Sequence, residues 1–191
     1  MSAGRLVIIS GPSGAGKTSI VKRLLEKSPL PIRMSVSATT RPARPGEQDG
    51  VDYHFLTDEQ FQQKRSNNEF LECFEVFGRG YWYGTLRENV ESDLSRGDWV
   101  LLEIDVNGMQ QVQQQFPDVI SVFVRPDSLD ELERRLRDRR TENEETIQRR
   151  LEVAKAEWKS KDDYMFDVVN DQLEPTVDRI CQLLMETCST N

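Results

Sequence analysis

The sequence predicts an α/β protein with a mainly parallel sheet flanked by helices. Three observations carry that expectation. The runs "RLVIIS", "DWVLLEID" and "VISVFV" are of strand length and almost continuously apolar, as strands buried on both faces are. Between them apolar residues recur at helical spacing. The first run leads straight into a glycine-rich turn that opens a helix. Strand alternating with helix is the pattern of a parallel sheet with helices packed on both sides.

The elements follow in order. After "RLVIIS" and the glycines, Ile20, Val21, Leu24 and Leu25 mark a helix face. Met34–Thr40, "MSVSATT", alternates and reads as a strand or extended edge. Thr57-Asp58-Glu59-Gln60 is a capping box that opens a helix toward Asn67. Leu86, Val90 and Leu94 share one face of the next helix, which stops at Gly97. The strands "DWVLLEID" and Val119–Val124 follow. Helical spacing returns at Val112 and Phe116, at Leu129, Leu132 and Leu136, and at Ile147, Leu151, Ala154 and Trp158. "FDVVN" reads as a last strand, and Val177, Ile180, Cys181 and Leu184 as a last helix face. Residues 32–97 break the rhythm with short strands and read as an insertion in the α/β core.

Composition excludes several classes. The 191 residues suffice for one domain with an insertion, and 37% hydrophobic with 30% charged residues is ordinary for a globular chain. The net charge of −8 argues against a nucleic-acid coat or a membrane-surface protein, so an anionic ligand must be drawn in by local cations. Cys73, Cys181 and Cys188 are odd in number and form no CxxC pair, which suits a reducing cytoplasm. No apolar run approaches the roughly 20 residues of a membrane span, and no signal-peptide stretch is expected.

Gly11-Pro12-Ser13-Gly14-Ala15-Gly16-Lys17-Thr18, continued by Ser19, satisfies G-x(4)-G-K-[ST] after a strand and before a helix. Its glycines free backbone N–H groups to surround a phosphate, and the helix N-terminus adds partial positive charge. Lys17 would bridge β- and γ-phosphates, and the Thr18 hydroxyl would ligate Mg²⁺. A P-loop NTPase core is therefore expected. Further on, Pro42 and Pro45 hold "RPARP" extended, and at three residues per turn Arg41 and Arg44 project from one side. They form either a clamp for a second phosphate or a stiff solvated loop.

With these motifs, "SVSATTRPARPGE", "GVDYHF", "NNEFLE", "YGT", "LLEIDVNG" and "RRTENEETIQRRL" occur in one order, and in that order the chain resembles the guanylate kinases from about Arg5 to Met185. The resemblance implies a core over 5–31, 98–126 and 160–191, a GMP-binding subdomain over 32–97 and a helical lid over 127–159. It implies transfer of the γ-phosphoryl of ATP to GMP with Mg²⁺, in the cytoplasm, without nucleic acid, membrane or an obligatory protein partner. Arg41, Arg44, Tyr53 and Tyr83 match the holders of the GMP phosphate. Glu72 matches the reader of guanine, whose N1–H and 2-amino donors a carboxylate accepts together. Ser37 and Thr85 match hydroxyls on the opposite side of the base. Asp105 matches an acid near guanine and the magnesium-water shell, at the end of a strand where ligands sit in open α/β sheets. Arg135, Arg139 and Arg150 match lid arginines that close over the ATP phosphates, with Arg139 and Arg150 expected to matter most for rate. Lys17, Arg41, Asp105, Arg139 and Arg150 thus form the expected catalytic set.

Taken singly, these residues have plainer readings. Glu72 would serve as a solvated carboxylate, the tyrosines as packing, and Asp105 as a helix cap. Glu131–Arg135, Glu133–Arg137 and Glu145–Arg149 stand at i, i+4, so much of the charged stretch reads as a salt-bridged helix pair. His54, the only histidine, reads as structural. The chain departs from the family pattern at Arg140, where glycine is usual, at Asn107, where glutamine is frequent, and in Gly78–Thr85, within a segment two residues longer than usual. Two other readings share the fold: an interaction module without turnover, and a kinase for another nucleoside monophosphate. The intact Gly16-Lys17-Thr18 argues against the first, and Glu72 with Ser37 against the second.

Overall fold

The computed structural model describes residues 4–76, 80–138 and 144–188. In chain order the elements are β1 Leu6–Ser10, α1 Lys17–Lys27, β2 Ile32–Met34, β3 Ala38–Thr39, β4 His54–Phe55, α2 Asp58–Ser66, β5 Phe70–Val76, β6 Tyr81–Leu86 and α3 Arg87–Ser95. There follow β7 Trp99–Glu103, α4 Val106–Gln115, β8 Ile120–Arg125, α5 Leu129–Asp138 and α6 Glu144–Trp158. A 3₁₀ turn at Lys159–Asp163, then β9 Phe166–Val169 and α7 Leu173–Cys188, complete the chain. Five strands form one sheet in the order β2-β7-β1-β8-β9, and four form a second in the order β4-β3-β6-β5. No helix among the described residues is long and apolar enough to cross a membrane.

The chain divides into two compact units. One takes in Met1–Leu6, Arg33–Leu102 and Asn107–Val119; the other takes in Val7–Ile32, Glu103–Val106 and Ile120–Asn191. In the second unit β1 runs parallel to β8, and β8 parallel to β9. Every β1 residue is buried, as are Ile120–Val124 of β8, which is why both read as unbroken apolar runs. Helix α7 buries Val177, Ile180, Cys181, Leu183 and Leu184, and α5 and α6 enclose a small core of Leu132, Leu136, Ile147, Leu151 and Ala154 under Trp158.

In the first unit β5 and β6 form an antiparallel pair, and β3 lies antiparallel to β6 and parallel to β4. Phe61 of α2 stacks on Phe70 with centroids 4.4 Å apart, over a core shared with Ala38, Leu56, Trp82 and Leu86. Both halves of the expected capping box at Thr57 and Gln60 are present.

Two local expectations are corrected. Met34–Thr40 is not one strand: β2 ends at Met34 in the larger sheet, and β3 begins at Ala38 in the smaller. Between them the Ser35 N–H bonds to Leu101 O (3.0 Å) and the Ser37 carbonyl accepts from the His54 N–H (2.9 Å), so neighbouring residues serve different partners. Among the charged pairs, Glu131–Arg135 and Glu133–Arg137 form at 2.7 and 2.8 Å. Glu145–Arg149 is absent among the described residues. Arg137 instead also reaches Glu144, which bridges α5 to α6.

Candidate active site

The phosphate loop turns on three glycines with left-handed backbones, at φ 137°, 94° and 87° for Gly11, Gly14 and Gly16. A Cβ on Gly11 would lie 2.0 Å from Val124 O, so the loop lies against β8 where only glycine fits. Gly16 caps α1 with no side-chain cap hydrogen bond, and a helix N-terminus opening on such a loop favours an anion. Lys17 Nζ donates to Gly11 O at 2.7 Å and Pro12 O at 3.1 Å, lying back across the loop.

Several expected residues of the second unit converge here. Thr18 Oγ1 donates to Glu103 Oε1 at 2.8 Å. Arg150, on α6, donates from Nη2 to Ser13 Oγ. Arg135 bonds Glu131 at 2.7 Å and Asn170 O at 2.9 Å. Asp105 is half-buried directly before α4, in the same unit as the loop, and its charge reaches Glu157 and Tyr164. Ser19 is exposed on α1. Arg139, Arg140 and residues 77–79 lie outside the described residues.

Three further residues belong to this arrangement and were not singled out in the sequence. Glu103 ends β7 and takes the Thr18 hydroxyl; its only signal was a carboxylate closing an apolar strand. Asn170 is 8% exposed and donates to Ala15 O at 2.7 Å, while its Oδ1 accepts from Thr176 at 3.2 Å. It thereby ties the loop to the start of α7. Glu157 accepts from the Ser13 N–H, and burial pushes its carboxyl up to about 7 against the pull of Lys17. Burial likewise pushes the Tyr164 phenol up.

The Thr18 hydroxyl and Glu103 carboxylate offer oxygen donors of the kind Mg²⁺ takes. No cluster of three or more His, Cys, Asp or Glu fit to hold a metal exists among the described residues.

The first unit carries a second arrangement. Arg41 donates from Nε to Tyr83 Oη at 3.0 Å and from Nη2 to Glu47 Oε1 at 2.9 Å. Its guanidinium lies 5.4 and 5.8 Å from the Tyr53 and Phe55 ring centroids, and Tyr53 meets Tyr83 edge-on at 5.7 Å. The hydrogen bond to Glu47 holds Arg41 more firmly protonated than usual, and the same pairing, with the Arg44 N–H, holds Glu47 below the usual carboxylate range. The structure thus brings Arg41, Tyr53 and Tyr83 together. Arg44 is exposed and joins through its backbone N–H.

Glu72 forms a second cluster with Thr85. It is 2% exposed, and a bulge between Phe70 and Glu72 sets it opposite Thr85, whose hydroxyl donates to Glu72 Oε1 at 2.6 Å. The resemblance put Thr85 on the far side of the base from Glu72; here its hydroxyl is directed at the carboxylate itself. Ser37 is half-buried and is placed by its carbonyl bond to His54. Gly84 lets β5 and β6 approach, since a Cβ there would lie 2.9 Å from the Cys73 side chain and from Glu72 O.

Comparison with known proteins gives one family. The sequence model described as guanylate kinase matches residues 3–187. A guanylate kinase of Rhodopirellula baltica is 48% identical over 188 residues, spanning 98% of this chain and 90% of that protein. One of Synechococcus sp. is 48% identical over 181 residues, spanning 95% of this chain and 82% of that protein. The crystal structure of guanylate kinase from Anaplasma phagocytophilum superposes with a TM-score of 0.79 at 34% identity, covering 98% of this chain and 87% of that one.

Proposed function

Because the chain belongs to the guanylate kinase family, we propose that it transfers the γ-phosphoryl group of ATP to GMP through the two arrangements just described. The observation that carries the choice of acceptor is the buried Glu72 carboxylate, held across two strands by Thr85. A buried carboxylate needs donors. Guanine offers N1–H and the 2-amino group side by side for a carboxylate to accept together, whereas adenine offers neither donor.

The phosphate loop N–H groups receive the ATP phosphates, and Lys17 exchanges the Gly11 and Pro12 carbonyls for β- and γ-phosphate oxygens. Thr18, with Glu103 as its acceptor, would hold Mg²⁺, which when bound supplies charge neutralisation at those oxygens. Arg41, Arg44, Tyr53 and Tyr83 hold the GMP phosphate, Glu72, Thr85 and Ser37 hold its base, and Asp105 is the further acid of the set. A GMP phosphate oxygen attacks the γ-phosphorus. The bond to the β–γ bridging oxygen breaks, and ADP leaves with that electron pair. No protein nucleophile is needed, so positioning and charge neutralisation make up the catalysis. Arg135 and Arg150, joined in this reading by Arg139, neutralise the transferring group, and Arg150 moves from Ser13 to do so.

A coupled ADP-release assay with ATP–Mg²⁺ and GMP, AMP, CMP or UMP, on wild type and Glu72→Gln, tests the proposal. Turnover with GMP alone that falls at least about a hundredfold in kcat/KM in the variant is expected, because Gln presents an N–H₂ where two donors must be accepted. Equal turnover with AMP in the wild type would overturn the guanine assignment.

A further inference from the structure

The motif that carries Arg41 and Arg44 ends on a carboxylate that the reaction above leaves unused. Glu47 Oε1 accepts from Arg41 Nη2 at 2.9 Å, and Glu47 Oε2 accepts from the Arg44 backbone N–H at 2.7 Å. The Glu47 N–H in turn donates to Arg44 O at 3.0 Å, closing the turn. Arg41 is 10% exposed in its side chain and Glu47 19%, so this pair is screened from water far more than an ordinary surface ion pair. Arg41 also donates to Tyr83 Oη and, from Nη1 at 2.7 Å, to Pro42 O. Three of its five N–H donors are thereby committed. Among the described residues no bond takes the second N–H of either terminal nitrogen, a pair of the kind phosphate accepts in a fork.

We propose that Glu47 is a positioning residue for the acceptor phosphate. One carboxylate fixes both the Arg41 guanidinium and the backbone point from which Arg44 extends, and so sets the spacing of the two arginines. The inference rests on GMP being the acceptor, as argued above.

Charge and positioning predict opposite signs, which makes the idea testable. A carboxylate near a dianionic phosphate repels it, so if Glu47 were a bystander charge, Glu47→Gln would lower the KM for GMP. If Glu47 sets the clamp, Gln keeps one acceptor for Arg41 but turns an N–H₂ toward the Arg44 N–H. One tie is lost and the KM for GMP rises.

The experiment measures steady-state kinetics of wild type, Glu47→Gln and Glu47→Asp, with thermal melts of each and with guanosine as competitive inhibitor against GMP. The KM for GMP is expected to rise about tenfold in Glu47→Gln, the size of losing a hydrogen bond to a charged group, with kcat within about threefold. Glu47→Asp keeps the charge but is one methylene short of spanning both partners, and should also raise it. The KM for ATP, the melting temperature and the inhibition constant of guanosine, which has no phosphate, should hold. An unchanged or lowered KM for GMP in Glu47→Gln overturns the proposal. So does a loss shared by guanosine or ATP, which would mark a merely structural role. If the wild type itself fails to use GMP, the assigned reaction has failed, and not the role of Glu47 within it.

Discussion

Burial raises the Glu157 carboxyl to about 7 from an ordinary value of 4.5, even though Lys17 and the Ser13 N–H both favour its charged form. Between those two values the folded protein holds a proton that the unfolded chain has released. Stability therefore falls as pH rises through that window, and the full penalty applies above pH 7. Glu157→Gln removes the penalty while keeping an acceptor for Ser13. It should be more stable than wild type by about 1–3 kcal/mol at pH 8 and equal to it below about pH 4.5. Urea titrations of both proteins at the two pH values check this, and a variant less stable at pH 8 would show that the charge is wanted there. Glu131 and Glu144 have carboxyls drawn down to about 2 by arginine partners, so they act in a lower window and are common to both proteins. A second residue-scale expectation concerns Arg150, whose Ser13 partner places it at the loop without a nucleotide. Arg150→Ala should lower kcat at least about tenfold while changing the KM for GMP less than twofold, if its charge is used mainly in the transition state.

At the scale of elements, α2 gives the cleanest case. Thr57 accepts from the Gln60 N–H at 3.2 Å, and the Gln60 side chain accepts from the Thr57 N–H at 2.9 Å. Thr57→Ala should cost about 1 kcal/mol and lower the melting temperature by about 2–4 °C with kinetics unchanged, as differential scanning fluorimetry and the coupled assay would report. That box was legible because it is local: four residues carry the whole signal. The runs of β1, β7 and β8 were legible for a similar reason, since burial on both faces leaves an unbroken apolar stretch. Strands β3 and β4 were not, because two residues cannot display an alternation. The same division holds in the candidate site. Gly11–Thr18 is a contiguous motif with a mechanism. Glu103 and Asn170 act on residues 85 and 155 positions away, and Glu157 owes its character to burial, so no spacing rule could find any of them. Arg41 was marked by the spacing of "RPARP", which left a solvated loop as its alternative, and Glu72 by resemblance alone. That Glu47 holds Arg41, and that Thr85 donates to Glu72, became visible only with the β5–β6 register and the turn at Arg44–Glu47 in place.

For the molecule as a whole, the net charge of −8 opposes both anionic substrates at long range, so each must be captured by cations set close to its own phosphates. On the proposed reading those cations are divided between the units: Lys17 and Arg150, with Thr18, Glu103 and Asn170 beside them, belong to one, and Arg41 and Arg44, with Glu47, Tyr53, Glu72, Tyr83 and Thr85, to the other. A substitution that loosens one set should then show in one substrate's KM. Asn170→Ala removes the bond to Ala15 O beside the loop's last glycine and should raise the KM for ATP several-fold, about 1 kcal/mol, leaving that for GMP within twofold. Arg41→Ala should do the reverse, and more strongly, because a charged donor is lost. If each unit holds its substrate independently, the double variant loses in kcat/KM the sum of the two single losses, within about 0.5 kcal/mol. A coupling above about 1 kcal/mol would instead mean that ordering the phosphate loop and ordering the arginine clamp are one event, so that binding the first substrate prepares the site for the second.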